Sequence, residues 1–162
     1  MMWYIQPEIE TTIMQNVINE LSLYQYRNFK AFDLSITSPV VLIIGDNGTG
    51  KTNILESISM LSPGRGLRGA KLQELAHEFS AIDWQIRVKT ESNLGPAQIS
   101  TSYSSEANKR LVEFNGSKIP NSELAKLLKI IWLTPQMDGI FLGSGSDRRR
   151  FLDRIVYCFY PD

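Results

Sequence analysis

The chain has 162 residues, 43% of them hydrophobic, with 17 basic and 17 acidic side chains. That composition supports a folded core and excludes a disordered polar chain. A formal charge of zero excludes a uniformly basic surface, so affinity for a polyanion must come from local patches.

A single cysteine, Cys158, excludes an internal disulfide and fits a reducing compartment, packed as a small apolar residue. The lone histidine, His77, has no cysteine or second histidine near it, which argues against zinc and places it on a helix or loop surface. The N-terminus, Met1-Met2-Trp3-Tyr4-Ile5-Gln6, has neither a positive region nor a long apolar run. No stretch approaches the roughly 18 apolar residues of a membrane span. A cytoplasmic chain with no membrane partner is expected. Residues 1–20 read as an extension. With Met14 just before the first strand-like segment, residues 1–13 are a poorly ordered tail or the product of an upstream start codon.

In chain order, residues 21–26 are rich in β-formers and predict a strand. Residues 27–30 turn the chain, and Phe32, Leu34 and Ile36 alternate as a strand with one buried face. Val40-Val41-Leu42-Ile43-Ile44 is a continuous apolar run, the pattern of a central parallel strand covered on both faces. A glycine-rich loop follows. From Lys51 to about Leu61, apolar residues at Ile54, Leu55, Ile58 and Leu61 predict a helix that Pro63-Gly64 stops. A short helical pattern runs through Leu72, Leu75 and Ala76. The period then changes to two, with Trp84, Ile86 and Val88 opening an antiparallel meander that continues through 98–103 and 110–114. Asn115-Gly116 predicts a tight turn before Ser117-Lys118-Ile119. Residues 120–129 read as a helix with Leu124, Leu127 and Leu128 on one side, 130–133 as a buried strand, and 146–160 as a last helix.

Gly45-Asp46-Asn47-Gly48-Thr49-Gly50-Lys51-Thr52 has the spacing of a phosphate-binding loop. Glycines let the backbone curl so that successive N–H groups point inward at an anion. Lys51 supplies a point charge for the β- and γ-phosphates, Thr52 a hydroxyl for Mg²⁺, and the following helix its positive end. Chance alone produces this pattern in a chain of this length about once in two hundred. Apolar residues before the loop and a periodic helix after it supply the context the motif requires. The binding set, running from Gly45 to Asn53, points to a nucleoside triphosphate, ATP above all, and the fold class is an α/β P-loop NTPase with an antiparallel β meander.

Four stretches point the same way: Tyr26-Arg27-Asn28-Phe29, the loop continuing into Asn53-Ile54-Leu55-Glu56, Pro63-Gly64-Arg65-Gly66-Leu67-Arg68, and Arg148-Arg149-Arg150-Phe151-Leu152-Asp153. Together they closely resemble the RecF family of bacterial recombination and repair proteins, within the wider SMC and Rad50-like ATPases. The resemblance runs from about Leu21 to the C-terminus. It implies the N-terminal lobe of an ABC-type ATPase head that dimerises around ATP. It also implies binding to single-stranded and gapped DNA, roles in replication, recombinational repair and the SOS response, and loading of RecA with RecO and RecR. By position, Asn28 and Phe29 would lie near the base and sugar. Gln136 would serve as the Q-loop glutamine, holding Mg²⁺ or the attacking water. Many relatives carry an acidic residue there, and Gly143-Ser144-Gly145 replaces a usual Gly-x-Pro. The implied layout is a P-loop core over 21–62, a meander over about 83–119, and a helix–strand–helix unit over 120–162.

Arg148, Arg149 and Arg150 open the last helix behind Ser146-Asp147, and Arg149 is spaced to pair with Asp153. Phe151, Ile155 and Phe159 are spaced to pack inward. The arginines are a solvated, internally paired face or a contact for DNA or a second copy. Arg65, Arg68 and Lys71 form a second cluster among glycines, either an ordinary basic loop or one directed at phosphate.

No apolar run is followed by Asp-Glu, as a Walker B strand requires, and no Leu-Ser-x-Gly signature occurs. The expectation is therefore an incomplete head that binds nucleotide weakly and does not turn it over alone. The apolar runs 40–44 and 130–133 should then lack sheet neighbours. Two other readings compete. A P-loop GTPase would show Asn-Lys-x-Asp and a kinase an arginine-rich lid, and neither is present. A non-catalytic remnant that only binds a partner chain is the third.

Overall fold

A computed structural model describes residues 17–77, 83–92, 95–137, 139–140 and 144–160. Residues 1–16 of the extension expected over 1–20 lie outside them, whereas residues 17–20 are not extension but open the first strand, four residues earlier than expected.

Six strands form one antiparallel sheet in the order β2-β1-β3-β4-β5-β6. They are β1 (Val17–Tyr26), β2 (Phe29–Ser35), β3 (Trp84–Ser92), β4 (Gly95–Ser104), β5 (Lys109–Phe114) and β6 (Ser117–Lys118). β1 sits between β2 and β3, placing Leu21 opposite both Leu34 and Val88, and Leu23 opposite both Phe32 and Ile86. One sheet therefore runs through both the stretch before the phosphate loop and the meander. Between β5 and β6, Asn115 and Gly116 both take positive φ, 49° and 79°, as a tight hairpin turn requires.

Leu21, Leu23, Ile86 and Val88 alternate onto one face, where they are buried with Ile99 and Val112. Among the described residues three helices accompany the sheet: α1 (Lys51–Ser59), α2 (Leu124–Leu127) and α3 (Gly145–Phe159). Ile54, Met60, Leu61 and Leu124 close over the apolar face. Each such side chain contributes roughly 1.5–3 kcal/mol on burial. Trp84 is 1% exposed, meets Tyr26 edge-on at 5.7 Å, and donates from Nε1 to the Leu72 carbonyl at 2.7 Å.

The end of β1 departs from regular strand geometry. Gln25 and Arg27 take positive φ of 49° and 53°. Non-glycine residues rarely adopt that conformation. It breaks the alternation, so Gln25 and Tyr26 are both buried. It is held by backbone bonds from Arg27 N–H to Leu75 O and from His77 N–H to Gln25 O, each 2.8 Å. His77 is half-buried just after the short 3-10 turn Leu72–Leu75.

Arg110 on β5 locks the sheet to the end of α1. Its guanidinium donates to the carbonyls of Met60, Ser62 and Gly64, and to Thr101 Oγ1 at 2.7 Å. Burial pushes its pKa down to about 10, which still leaves it charged at neutral pH.

Several predicted elements require correction. Neither 40–44 nor 130–133 is a strand. Val40, Leu42 and Ile44 are 81%, 80% and 81% exposed, and Leu133 is 75% exposed. Apolar runs of this kind become buried strands only where a neighbour accepts their backbone groups, and none of the described strands lies alongside. The turn before β2 is shorter than expected, because β2 already begins at Phe29. The helix expected over 120–129 is a 3-10 turn at Asn121–Glu123 followed by the single turn of α2. On α3, Phe159 is exposed, not inward, with Lys129 Nζ 5.3 Å from its ring centroid. Cys158 is buried instead, and Arg154 stacks on Trp132 at 4.0 Å.

Candidate nucleotide-binding site

The site is an excursion from the sheet: the chain leaves after β2 and returns at β3, forming the loop 45–50 and α1 between them. Within the loop, Thr49 closes a tight turn by donating from Oγ1 to Asp46 O at 2.9 Å. Gly48 and Gly50 take positive φ of 89° and 103°. At Gly50 the constraint is also steric. A Cβ there would stand 2.6 Å from Phe29 Cζ and 2.7 Å from Asn28 Nδ2. Asn28 in turn donates to Thr49 O at 3.2 Å and accepts from Asn53 Nδ2 at 2.8 Å. The structure thus brings Asn28 and Phe29 onto the loop, with Asn28 bridging it to the first turn of α1.

Gly50 caps α1 without a side-chain bond, and no acidic residue lies in the first turn. Among the described residues, no acceptor takes the N–H of Asn47, Gly48 or Gly50. Lys51 Nζ donates to Gly45 O at 2.6 Å and Asp46 O at 2.5 Å. These carbonyls hold the ammonium over the loop without neutralising it, and no described carboxylate pairs with it. Free N–H groups, an uncapped positive helix end and an ammonium converge on one place, a combination that stabilises a polyphosphate. A cavity of about 200 Å³ lies there, lined by Asn47, Gly48, Gly50, Lys51, Thr52, Asn53 and Arg68.

Arg68 therefore stands apart from Arg65 and Lys71, with which its sequence position grouped it. It lines that cavity and donates from Nη1 to Asn53 Oδ1 at 2.8 Å and Glu56 Oε2 at 3.2 Å. Arg65 and Lys71 are exposed outside this cavity. Sequence reasoning missed the group behind Arg68. Glu56, only 1% exposed, accepts a fork from Arg27, Nε at 2.9 Å and Nη2 at 2.7 Å. That bond outweighs burial and holds the Arg27 guanidinium more basic than usual. The available signal was that Glu56 is the only acidic residue of α1.

The remaining candidates lie elsewhere. Arg149 and Arg150 are exposed near the start of α3, and Arg148 is half-buried. The expected Arg149–Asp153 ion pair does not form among the described residues. α3 begins at Gly145, so Ser146 and Asp147 stand inside the helix and not as its cap. Gln136 belongs to the 3-10 turn Pro135–Met137. Its side chain, and Gly143, lie outside the described residues. Among the described residues no group of three metal-ligating side chains occurs, and no helix is long and apolar enough to cross a membrane.

Residues 17–137 match the model of the RecF/RecN/SMC N-terminal domain. The chain belongs to this family. It is 50% identical over 151 residues to the DNA replication and repair protein RecF of Rickettsia akari (strain Hartford), covering 91% of this chain and 41% of that protein. RecF of Rickettsia massiliae (strain Mtu5) is 48% identical over the same share of each. The chain thus spans about two fifths of the length of these relatives. Among solved structures, the recombination mediator protein RecF-ATPrS of the RecFOR pathway superposes with a TM-score of 0.79 at 27% identity, covering 88% of this chain and 38% of that one. The SMC head domain from Thermotoga maritima, at 18% identity and a TM-score of 0.52 over 66% of this chain and 40% of that one, shares the fold. With its phosphate loop and antiparallel sheet, the chain is a partial P-loop ATPase head of the RecF type.

Proposed function

We propose that this chain binds ATP with Mg²⁺ through residues 45–53, as the nucleotide-binding part of a RecF-like DNA replication and repair protein. The observation that carries the reading is the convergence on one cavity of Lys51, the uncapped start of α1 and the N–H groups of the loop. Lys51 and Arg68 would balance the triphosphate charge, and the loop N–H groups would orient its oxygens. Asn28 and Phe29 would lie toward the nucleoside. Thr52, exposed at the cavity, offers a hydroxyl to Mg²⁺, which would offset charge between the phosphates. A solved structure of RecF-ATP in the RecFOR pathway, 27% identical to this chain, supports the same ligand here.

Within that reading the chain contributes to recombinational repair and the SOS response in the cytoplasm. It dimerises around ATP, engages single-stranded and gapped DNA, and acts with RecO and RecR to load RecA. The exposed Arg65, Lys71, Arg149 and Arg150, with half-buried Arg148, supply the phosphate-directed charge. Gln136 would sense the γ-phosphate. Turnover by this chain alone is not expected.

Calorimetric titration with ATP and Mg²⁺ tests the reading. The unaltered chain should bind and Lys51→Ala should not, with phosphate release absent in both. A folded chain without ATP affinity would favour a second reading, a module that only docks a partner chain, for which the exposed Val40, Leu42 and Ile44 speak.

A further inference from the structure

We propose that Glu56 is a positioning residue for nucleotide binding, its buried carboxylate presenting Arg68 to the phosphate cavity. This rests on the reading that residues 45–53 bind a triphosphate.

Glu56 stands behind Arg68 and does not itself line the cavity. Its side chain is 1% exposed, while the Arg27 and Arg68 side chains that share it are 21% and 42% exposed. A carboxylate at that depth is strongly disfavoured unless paired. Arg27 supplies most of the compensation, engaging Oε2 at 2.9 Å and Oε1 at 2.7 Å in a two-pronged fork. Arg27 is itself fixed by a bond from Nη1 to Glu74 O at 2.8 Å. Glu56 is thus held rigidly from behind, and Arg68 is the second, more exposed cation on it.

Arg68 commits one nitrogen to this tether. Nη1 alone bonds Glu56 Oε2 and Asn53 Oδ1. A guanidinium has five N–H donors. Among the described residues, Nε and Nη2 of Arg68 have no acceptor, and the residue lines the cavity. One carboxylate against two guanidiniums leaves a surplus positive charge where a triphosphate would sit.

The backbone beneath Arg68 is anchored to the same stretch of α1. Ser59 Oγ donates to Glu56 O at 2.6 Å and accepts from Leu67 N–H at 2.7 Å. Gly66 packs so closely that a Cβ would stand 2.7 Å from Met60 Sδ and 2.8 Å from Ser59 Oγ. Main chain and side chain of residue 68 are therefore both referenced to Glu56, on the helix whose first turn holds Lys51. Lys51 and Arg68 are set at a fixed separation by one rigid element, which lowers the cost of ordering them around an anion.

ATP affinity is measured by titration for the unaltered chain, Glu56→Gln, Arg68→Ala and the double variant, with a thermal melt of each. Loss of one charge-assisted bond that orients Arg68 should weaken ATP binding about tenfold in Glu56→Gln. The double variant should bind no more weakly than Arg68→Ala alone, because Glu56 acts only through Arg68. Glu56→Gln lowers the melting temperature in either case, because it also breaks the Arg27 fork; a purely structural role would give independent, multiplying losses in affinity. Arg68→Lys covers the case in which Glu56→Gln does not fold. It keeps the charge and leaves the Arg27–Glu56 fork intact, but loses the planar geometry that serves Glu56, Asn53 and an anion together. It should weaken ATP binding at an unchanged melting temperature.

Undiminished affinity in Glu56→Gln or Arg68→Lys, or multiplying losses in the double variant, overturns the proposal alone if Lys51→Ala still abolishes binding. No ATP affinity in the unaltered chain overturns it together with the nucleotide reading.

Discussion

Arg110 donates to the Gly64 carbonyl at 3.0 Å, tying the fifth strand to the turn that ends the phosphate-loop helix. With Met60 O at the helix cap and Ser62 O just beyond it on the same guanidinium, one side chain satisfies the backbone carbonyls of the chain as it leaves α1. Arg110→Met should therefore destabilise the chain by about 3 kcal/mol in urea denaturation, since several part-buried carbonyls lose their donor at once. Arg110→Lys should recover only part of that, because an ammonium cannot fan across three carbonyls and Thr101.

Gly50→Ala and Gly48→Ala separate two kinds of glycine. At Gly50 a methyl group would strike Phe29 and Asn28, whereas at Gly48 nothing lies within 4 Å. Both variants carry the strain of the left-handed backbone, about 1–2 kcal/mol. Only Gly50→Ala must also displace the Asn28 bridge, so it should melt lower and bind ATP more weakly than Gly48→Ala. Equal effects on both measurements would show that conformational strain alone matters there.

Trp84→Phe keeps most of the apolar volume and removes the bond to Leu72 O. The cost should be about 1–2 kcal/mol, since a part-buried carbonyl loses its donor. Hydrogen exchange should rise first around Leu75 and Ala76, the segment that bond fastens to the sheet.

Leu42→Lys addresses the exposed run before the loop. Leu42 is 80% exposed, so its replacement should change stability by less than about 0.5 kcal/mol. Light scattering at high concentration should fall, as an apolar patch is broken by charge. A large loss of stability would show that this residue is buried in solution.

Much of this was legible in the sequence. The turn-and-helix form of the loop 45–52 was readable because it is local: Gly48 and Gly50 supply the positive φ that the turn needs, and α1 starts at Lys51 as the spacing predicts. The meander was readable because alternation and Asn115-Gly116 act over a few residues. What escaped was of two kinds. The Arg27–Glu56 fork joins residues 29 apart, and nothing near either one names the other. The run 40–44 has the hydropathy of a buried strand, yet burial depends on a neighbouring strand that hydropathy does not report. In sequence Arg68 sits in a basic cluster with Arg65 and Lys71, but the turn at Gly66 and the Ser59 anchor send it to the cavity while Arg65 stays outside.

The placement of the phosphate loop and α1 between β2 and β3 also has a kinetic consequence. Strands β3 to β6 pair in sequence order, so their hairpins close locally, within about 1–10 μs each. The β1–β3 pairing must first close the long connection that carries the phosphate loop, and loop closure costs entropy before contacts offset it. The meander is thus expected to form the folding nucleus and the nucleotide site to be organised last. Arg27→Ala, which breaks the fork that ties α1 to the end of β1, should then speed unfolding while leaving the refolding rate nearly untouched.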